Sequence, residues 1–216
     1  MINPNKRKLN NYLPVSESGY TILEGLMAVI VVSVMLLAIG PVIAFSVGTR
    51  VQAKRVELAT QAGKSYIDWV KAAPDANAIK ERAPKQTAIT APATGDLTSD
   101  CTSKDGYCTT TDKKLYCVNL DETAGCQTNS PVDMVVQPII TKVTDATKPE
   151  NGYGMQVRVY RANSFAPGVT LQSPTKSDSL TTNALGNRGL PLVMMKTEVL
   201  PSGATFENLQ ERLKLP

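Results

Sequence analysis

An apolar run from Leu26 to Val47 dominates the polarity pattern, with Val, Ile, Leu, Met and Ala following one another almost without interruption. It meets the roughly 20 residues that a helix needs to cross a bilayer. From Arg50 the pattern turns amphipathic. Lys54, Glu57, Gln61, Lys64, Asp68 and Lys71 recur at spacings of three and four, while Leu58, Ala59, Ala62, Tyr66, Trp69, Val70 and Ala73 fill much of the opposite side. Lys64 and Asp68 add one i,i+4 pair, worth a few tenths of a kcal/mol. Pro74 is a stop signal. Together these stretches predict one nearly continuous helix from about Tyr20 to Ala73, roughly 80 Å long at 1.5 Å per residue. Gly40-Pro41 predicts a kink or local melting within it, because proline removes a helical hydrogen bond and clashes with the carbonyl four residues back. Tyr66 and Trp69 are expected in a globular core, against a sheet.

Beyond Pro74 the helical period is lost. Ala76 to Arg82 suits a short helix, and the Ala-, Pro- and Thr-rich remainder of 75–100 reads as a connection. Tyr107 to Cys108 and Leu115 to Leu120 suggest short strands around a polar turn at Thr109 to Lys114. Stronger strands are expected at Val132 to Val143, Gly152 to Arg161 and Leu192 to Leu200. Met155, Val157 and Val159 alternate there with Gln156, Arg158 and Tyr160, the period of a half-buried strand. Pro138 implies an edge, a bulge or two shorter strands. Asn151-Gly152 and its flanks suit a hairpin connection. The Ser-, Thr-, Pro- and Gly-rich segment between Phe165 and Arg188 is a long loop, a candidate for partner contact. Glu207 to Lys214 suits a short helical turn or a tail. The fold class expected is α+β: a long N-terminal helix against an antiparallel sheet of about four strands. The implied divisions are 1–19, 20–49, 50–73 and 74–216.

A length of 216 residues allows one ordinary domain plus an appendage. The formal charge is +4. Half of it lies in the first 19 residues, where Lys6, Arg7 and Lys8 face Glu17. No clustered basic face emerges elsewhere, so nucleic acid is not an expected partner. The absence of histidine removes the commonest general base and the commonest transition-metal ligand. No phosphate-cradling Gly-rich loop or nucleophile elbow is present, and a Ser–Lys dyad, the one catalytic arrangement left open, is disfavoured by its rarity. Neither an enzyme nor a cofactor is expected. The four cysteines, Cys101, Cys108, Cys117 and Cys126, share one short polar segment. Their even number suits disulfides in an oxidising compartment, and their spacing is wider than the close pairs of zinc sites. Four cysteines allow three connectivities, of which Cys101–Cys108 with Cys117–Cys126 closes the shortest loops.

The basic cluster before the apolar run places the N-terminus in the cytoplasm and the remainder outside the cytoplasmic membrane. An ordinary secretory signal would carry small residues in an A-x-A-like pattern after a shorter apolar core, and Ser46 to Arg50 fits that role poorly. A plain signal anchor leaves Glu24 unexplained. Glu24 is the single formal charge within residues 20–49. A carboxylate in a span costs about 3 kcal/mol at mid-depth and less at the interface, so its presence points to a function with a partner.

Gly19-Tyr20-Thr21-Ile22-Leu23-Glu24 resembles the class III signal of type IV prepilins and pseudopilins: a basic leader ending in Gly, an aromatic residue, a short apolar stretch, and Glu as the fifth mature residue. Pro41 falls at the twenty-second mature residue, where many pilins carry a kinking proline. Tyr20 stands where the family usually has Phe, and Ile22-Leu23 where it usually has Leu-Ile. The resemblance covers roughly residues 1 to 73. It implies that a prepilin peptidase in the cytoplasmic membrane cuts after Gly19 and methylates the new amine of Tyr20. It implies that Glu24 pairs with the Tyr20 amine of a neighbouring pilin or pseudopilin subunit, where an unpaired charge in an apolar core would be disfavoured. The partners it implies are other subunits, an assembly platform protein and its ATPase. The segments Gln156 to Ala162 and Pro191 to Glu198 are similar to cyanobacterial pseudopilins of hormogonium polysaccharide secretion, which implies a role in polysaccharide export and gliding motility. The expected function is thus a structural filament subunit. The alternative is a minor pilin that binds DNA, a surface or protein cargo.

Overall fold

The computed structural model describes residues 21–97, 101, 105–109, 112–143, 145, 148–173, 187–201 and 204–214. The chain divides into two compact units, residues 1–44 and 45–216. The helix α1, Ile22–Lys71, contributes to both. It contains Pro41 and continues through it, so of the kink or local melting expected at Gly40-Pro41 the melting is not present. Loss of one backbone donor leaves the helical hydrogen bonds on either side to carry the helix across.

Residues 45–216 form an α+β layer structure. The sheet is a meander of five antiparallel strands in the order β1-β2-β3-β4-β5. These are β1 (Asp105–Tyr107), β2 (Tyr116–Val118), β3 (Met134–Lys142), β4 (Tyr153–Arg161) and β5 (Val193–Val199). The fifth strand, beyond the four expected, arises because both short segments beside the cysteines join the sheet. Alternation sorts the side chains of β3 and β4. Met134, Val136 and Ile140 with Tyr153, Met155, Val157 and Val159 form one core with Ala59, Ala62, Tyr66, Ile67 and Val70 of α1. Gly63 permits the close approach of helix to sheet: a Cβ there would stand 2.7 Å from Met195 Cε and 3.1 Å from Val159 Cγ2.

The opposite face carries a second core, in which Val135 and Tyr160 pack with Leu115, Phe165, Leu171 and the four cysteines. Burial on both faces explains why β4 is buried along its whole length, although its sequence alternates like a half-exposed strand. The connection after residue 83 covers part of this face. Ile140 N–H donates to Gln86 O (2.8 Å), Gln137 Nε2 to Thr90 O (2.9 Å) and Arg158 Nη1 to Ile89 O (3.3 Å).

Pro138 lies inside β3, opposite Val157 of β4, and does not end the strand. Pairing with β2 stops at Val136. The Ile140 N–H points away from β4 to Gln86, and alternation turns the Pro138 nitrogen the same way. Its missing donor therefore breaks no rung of the ladder. A register shift follows between Ile140 and Lys142.

Two short helices complete the unit. In α2 (Ala76–Arg82), Asp75 caps the N-terminus by accepting from Ala78 N–H at 2.8 Å. In α3 (Phe206–Lys214), Arg212 is buried and donates through Nη1 to Asn151 O at 2.7 Å. Gly152, beside that contact, has φ +90°, and a Cβ there would lie 2.9 Å from Arg212 Nη1.

Candidate functional site

Apolar residues from Ile22 to Val47 are exposed along the first part of α1; Leu23 is 71% and Phe45 65% accessible. This helix is long and apolar enough to cross a membrane. Glu24 sits in its first turn. The Glu24 N–H donates to Thr21 O (3.0 Å) and to Thr21 Oγ1 (3.3 Å). Thr21 thus acts as a helix cap, and Thr21-Ile22-Leu23-Glu24 has the spacing of a capping box. A carboxylate at this position also complements the positive end of the helix dipole. Glu24 is exposed, with its side chain open to a partner. Gly19 and Tyr20, the expected cleavage and methylation positions, lie outside the described residues, as does most of the loop between Phe165 and Arg188. Pro41 lies within the exposed apolar part of α1.

All four cysteines are oxidised. Cys101 pairs with Cys108 and Cys117 with Cys126, the connectivity with the shortest loops. The sulfurs of Cys101, Cys117 and Cys126 lie within 4.8 Å of one another. Because each is in a disulfide, the cluster offers no thiolate to a metal. Its place in the second core supports β1 and β2, whose three-residue strands have little ladder of their own.

A cleft of about 680 Å³ opens beside this region, lined in part by Trp69, Arg82, Lys85, Tyr107, Lys113 and Tyr116. Tyr66, Trp69, Tyr107 and Tyr116 form one aromatic cluster, with the Tyr66 and Tyr116 centroids 4.9 Å apart. The Arg82 guanidinium stands 5.0 Å over the Trp69 ring and donates to Trp69 O at 2.6 Å. Tyr107 Oη donates to Arg82 O (2.7 Å), so the 2.7 Å contact between the two phenols has Tyr66 as donor. Burial pushes the Tyr66 and Tyr107 phenols above their ordinary range, and that of Tyr66 is raised further by Tyr107. Burial also lowers the Lys113 ammonium, helped by Lys85.

Sequence reasoning placed Tyr66 in the core, where it is, and Trp69, which is half-buried. It did not find the cleft. Tyr107, Tyr116 and Arg82 come from separate elements, and no local spacing announces their meeting. Comparison with known proteins found no matching family model, no matching characterised protein and no matching solved structure.

Proposed function

We propose that this chain is a structural subunit of a pilin-like filament, a pseudopilin or minor pilin, anchored by α1 in the cytoplasmic membrane before assembly. The observation that carries the reading is an exposed apolar helix with a single carboxylate, Glu24, in its first turn. An apolar surface of this length needs a covering of lipid or of other apolar helices. Glu24 at its start needs a cation once water is excluded. Cleavage after Gly19 would supply that cation as the α-amine of Tyr20 in a neighbouring subunit. In this reading the pair sets the axial register of subunits more than it adds stability. Residues 74–216 then stand outside the cytoplasmic membrane, an orientation favoured by Lys6-Arg7-Lys8 before the span and by the two disulfides. The system served is polysaccharide export and gliding motility, a reading supported by the similarity of Gln156 to Ala162 and Pro191 to Glu198. No chemistry is assigned to the subunit itself. The aromatic and cationic cleft favours a second reading, in which a minor subunit also binds cargo.

Glu24→Ala tests the register role. The variant is expected to insert in the membrane as the wild type does. Its incorporation into sheared filaments, or its cross-linking to neighbouring subunits, is expected to fall at least tenfold. Incorporation at the wild-type level would remove Glu24 from any role in assembly.

A further inference from the structure

Residue 161 ends β4, two residues beyond Val159 and on the same side of the strand. That side faces α1, where Gly63 lies close to Val159 and Ala59 is buried one turn earlier. One further turn back is Arg55, four residues before Ala59 and on the same helical face. A third arginine, Arg188, is held to the turn after β4 by its Nη2, which donates to Asn163 O at 2.6 Å. Arg161 is only 3% exposed, and its Nε and Nη2 have no hydrogen-bond partner. Those two atoms form the side-on edge of the guanidinium that donates bidentately to oxyanions. Asn163 Oδ1 and Ser164 Oγ, on the same turn, are also buried without partners.

Burial, then the fields of Arg55 and Arg188, lower the Arg161 guanidinium to about 10. Among the described residues, the charged groups acting on it are these two cations. A buried guanidinium with an unpartnered edge and two like charges acting on it is strongly disfavoured unless an anion joins it. An unpartnered guanidinium edge with two further cations acting on it suits a tetrahedral oxyanion, which offers more acceptor oxygens and more charge than a carboxylate.

We infer that Arg55, Arg161 and Arg188 form a binding site for a phosphate group at the end of the sheet where α1 enters the domain. The phosphate is free or carried on a lipid headgroup. A lipid source is within reach along the helix: Arg55 follows the exposed Val47 by eight residues, about 12 Å at 1.5 Å per residue. The headgroup region extends each side of the hydrocarbon core by about 5–8 Å, and the long Arg55 side chain, which tilts toward the helix N-terminus, covers the remainder.

The test uses the full chain in non-ionic detergent micelles, titrated with inorganic phosphate at constant ionic strength and followed by thermal unfolding and calorimetry. Phosphate is expected to raise Tm where chloride does not. Arg55→Gln and Arg188→Gln, both at solvent-accessible positions, are each expected to weaken phosphate binding about tenfold, the loss of one charge-assisted contact. Arg161→Met is expected to remain folded, since it removes a buried charge, and to lose the phosphate response. A second arm compares bilayer discs of phospholipid with discs of neutral glycolipid. If a headgroup fills the site, added phosphate stabilises the protein only in the glycolipid discs; if the natural ligand is free phosphate, it stabilises in both. No phosphate-dependent shift in any of these settings would overturn the assignment, as would a shift retained by all three variants. Acetate competing as well as phosphate would assign the corner to a carboxylate instead.

Discussion

At the scale of single residues, Glu24 and Gly63 show opposite kinds of legibility. Glu24 stands out in the sequence because one charge interrupts an apolar run, and its cost in a membrane requires an explanation. Its local geometry adds something the charge pattern did not suggest. Thr21 caps the helix at that turn, so the carboxylate that the proposed pairing would use also lies in the turn that starts α1. Gly63 carried no signal, since glycine in a helix usually only weakens it. Its reason lies in β4 and β5, which are nearly 100 and more than 130 residues away in sequence. Gly63→Ala is expected to be close to neutral, because Met195 Cε is the mobile end of its side chain and alanine favours the helix. Gly63→Val has to displace Val159 as well, and is expected to lose about 1–3 kcal/mol of stability by overpacking. Denaturant midpoints of the two variants check this; equal midpoints would mean that α1 lies further from the sheet.

At the scale of elements, the periodic segments were the readable ones. The alternation of 155–160 and the apolar content of 192–200 located β4 and β5 to within a residue or two of Tyr153–Arg161 and Val193–Val199. The pattern of β4 misled only about its second face, where Gln156 and Arg158 lie under other chain segments rather than in water. Gln137 and Arg158 there meet carbonyls of residues 89 and 90, contacts that span far too much sequence for periodicity to register. The aromatic cluster is of the same kind, since it joins α1, β1 and β2 and hydrogen-bonds to α2. Its chemistry predicts an alkaline limit to stability. Burial raises the phenols of Tyr66, Tyr107 and Tyr153, and pushes Tyr160 up to about 12. An unfolded tyrosine ionises near pH 10. The unfolded chain therefore holds fewer protons above that pH, and the contribution of these groups, complete below about pH 10, is lost as pH rises toward the folded values. Thermal scans are expected to show Tm falling steeply above about pH 10, with phenolate absorbance from these rings emerging only on unfolding. Tyr107→Phe is expected to reduce stability near neutral pH by about 1 kcal/mol through the lost hydrogen bonds, and to soften the alkaline fall. Phenolate absorbance rising well before unfolding would contradict the burial of these rings.

At the scale of the whole molecule, two surfaces of different character are joined through one helix. The first part of α1 presents apolar side chains to its surroundings, and residues 45–216 bury theirs between a helix and a twice-covered sheet. That division was legible early, because the change from unbroken apolarity to a three-and-four spacing near Arg50 falls within one continuous helix. The disulfide segment was legible as chemistry but not as position: cysteine count suggested oxidation, whereas the place of the sulfurs under β2 and β3 depends on the whole sheet. The proposed filament subunit would account for both surfaces together, with lipid covering the apolar helix before assembly and neighbouring helices covering it afterwards. That account depends on creating a cation at residue 20. The most direct measurement is the intact mass of the chain purified from cells with and without a prepilin peptidase. The account predicts a mass for Tyr20 to Pro216 carrying one added methyl group when the peptidase is present, and the full-length mass when it is absent. A chain that still begins at Met1 in peptidase-containing cells would contradict it.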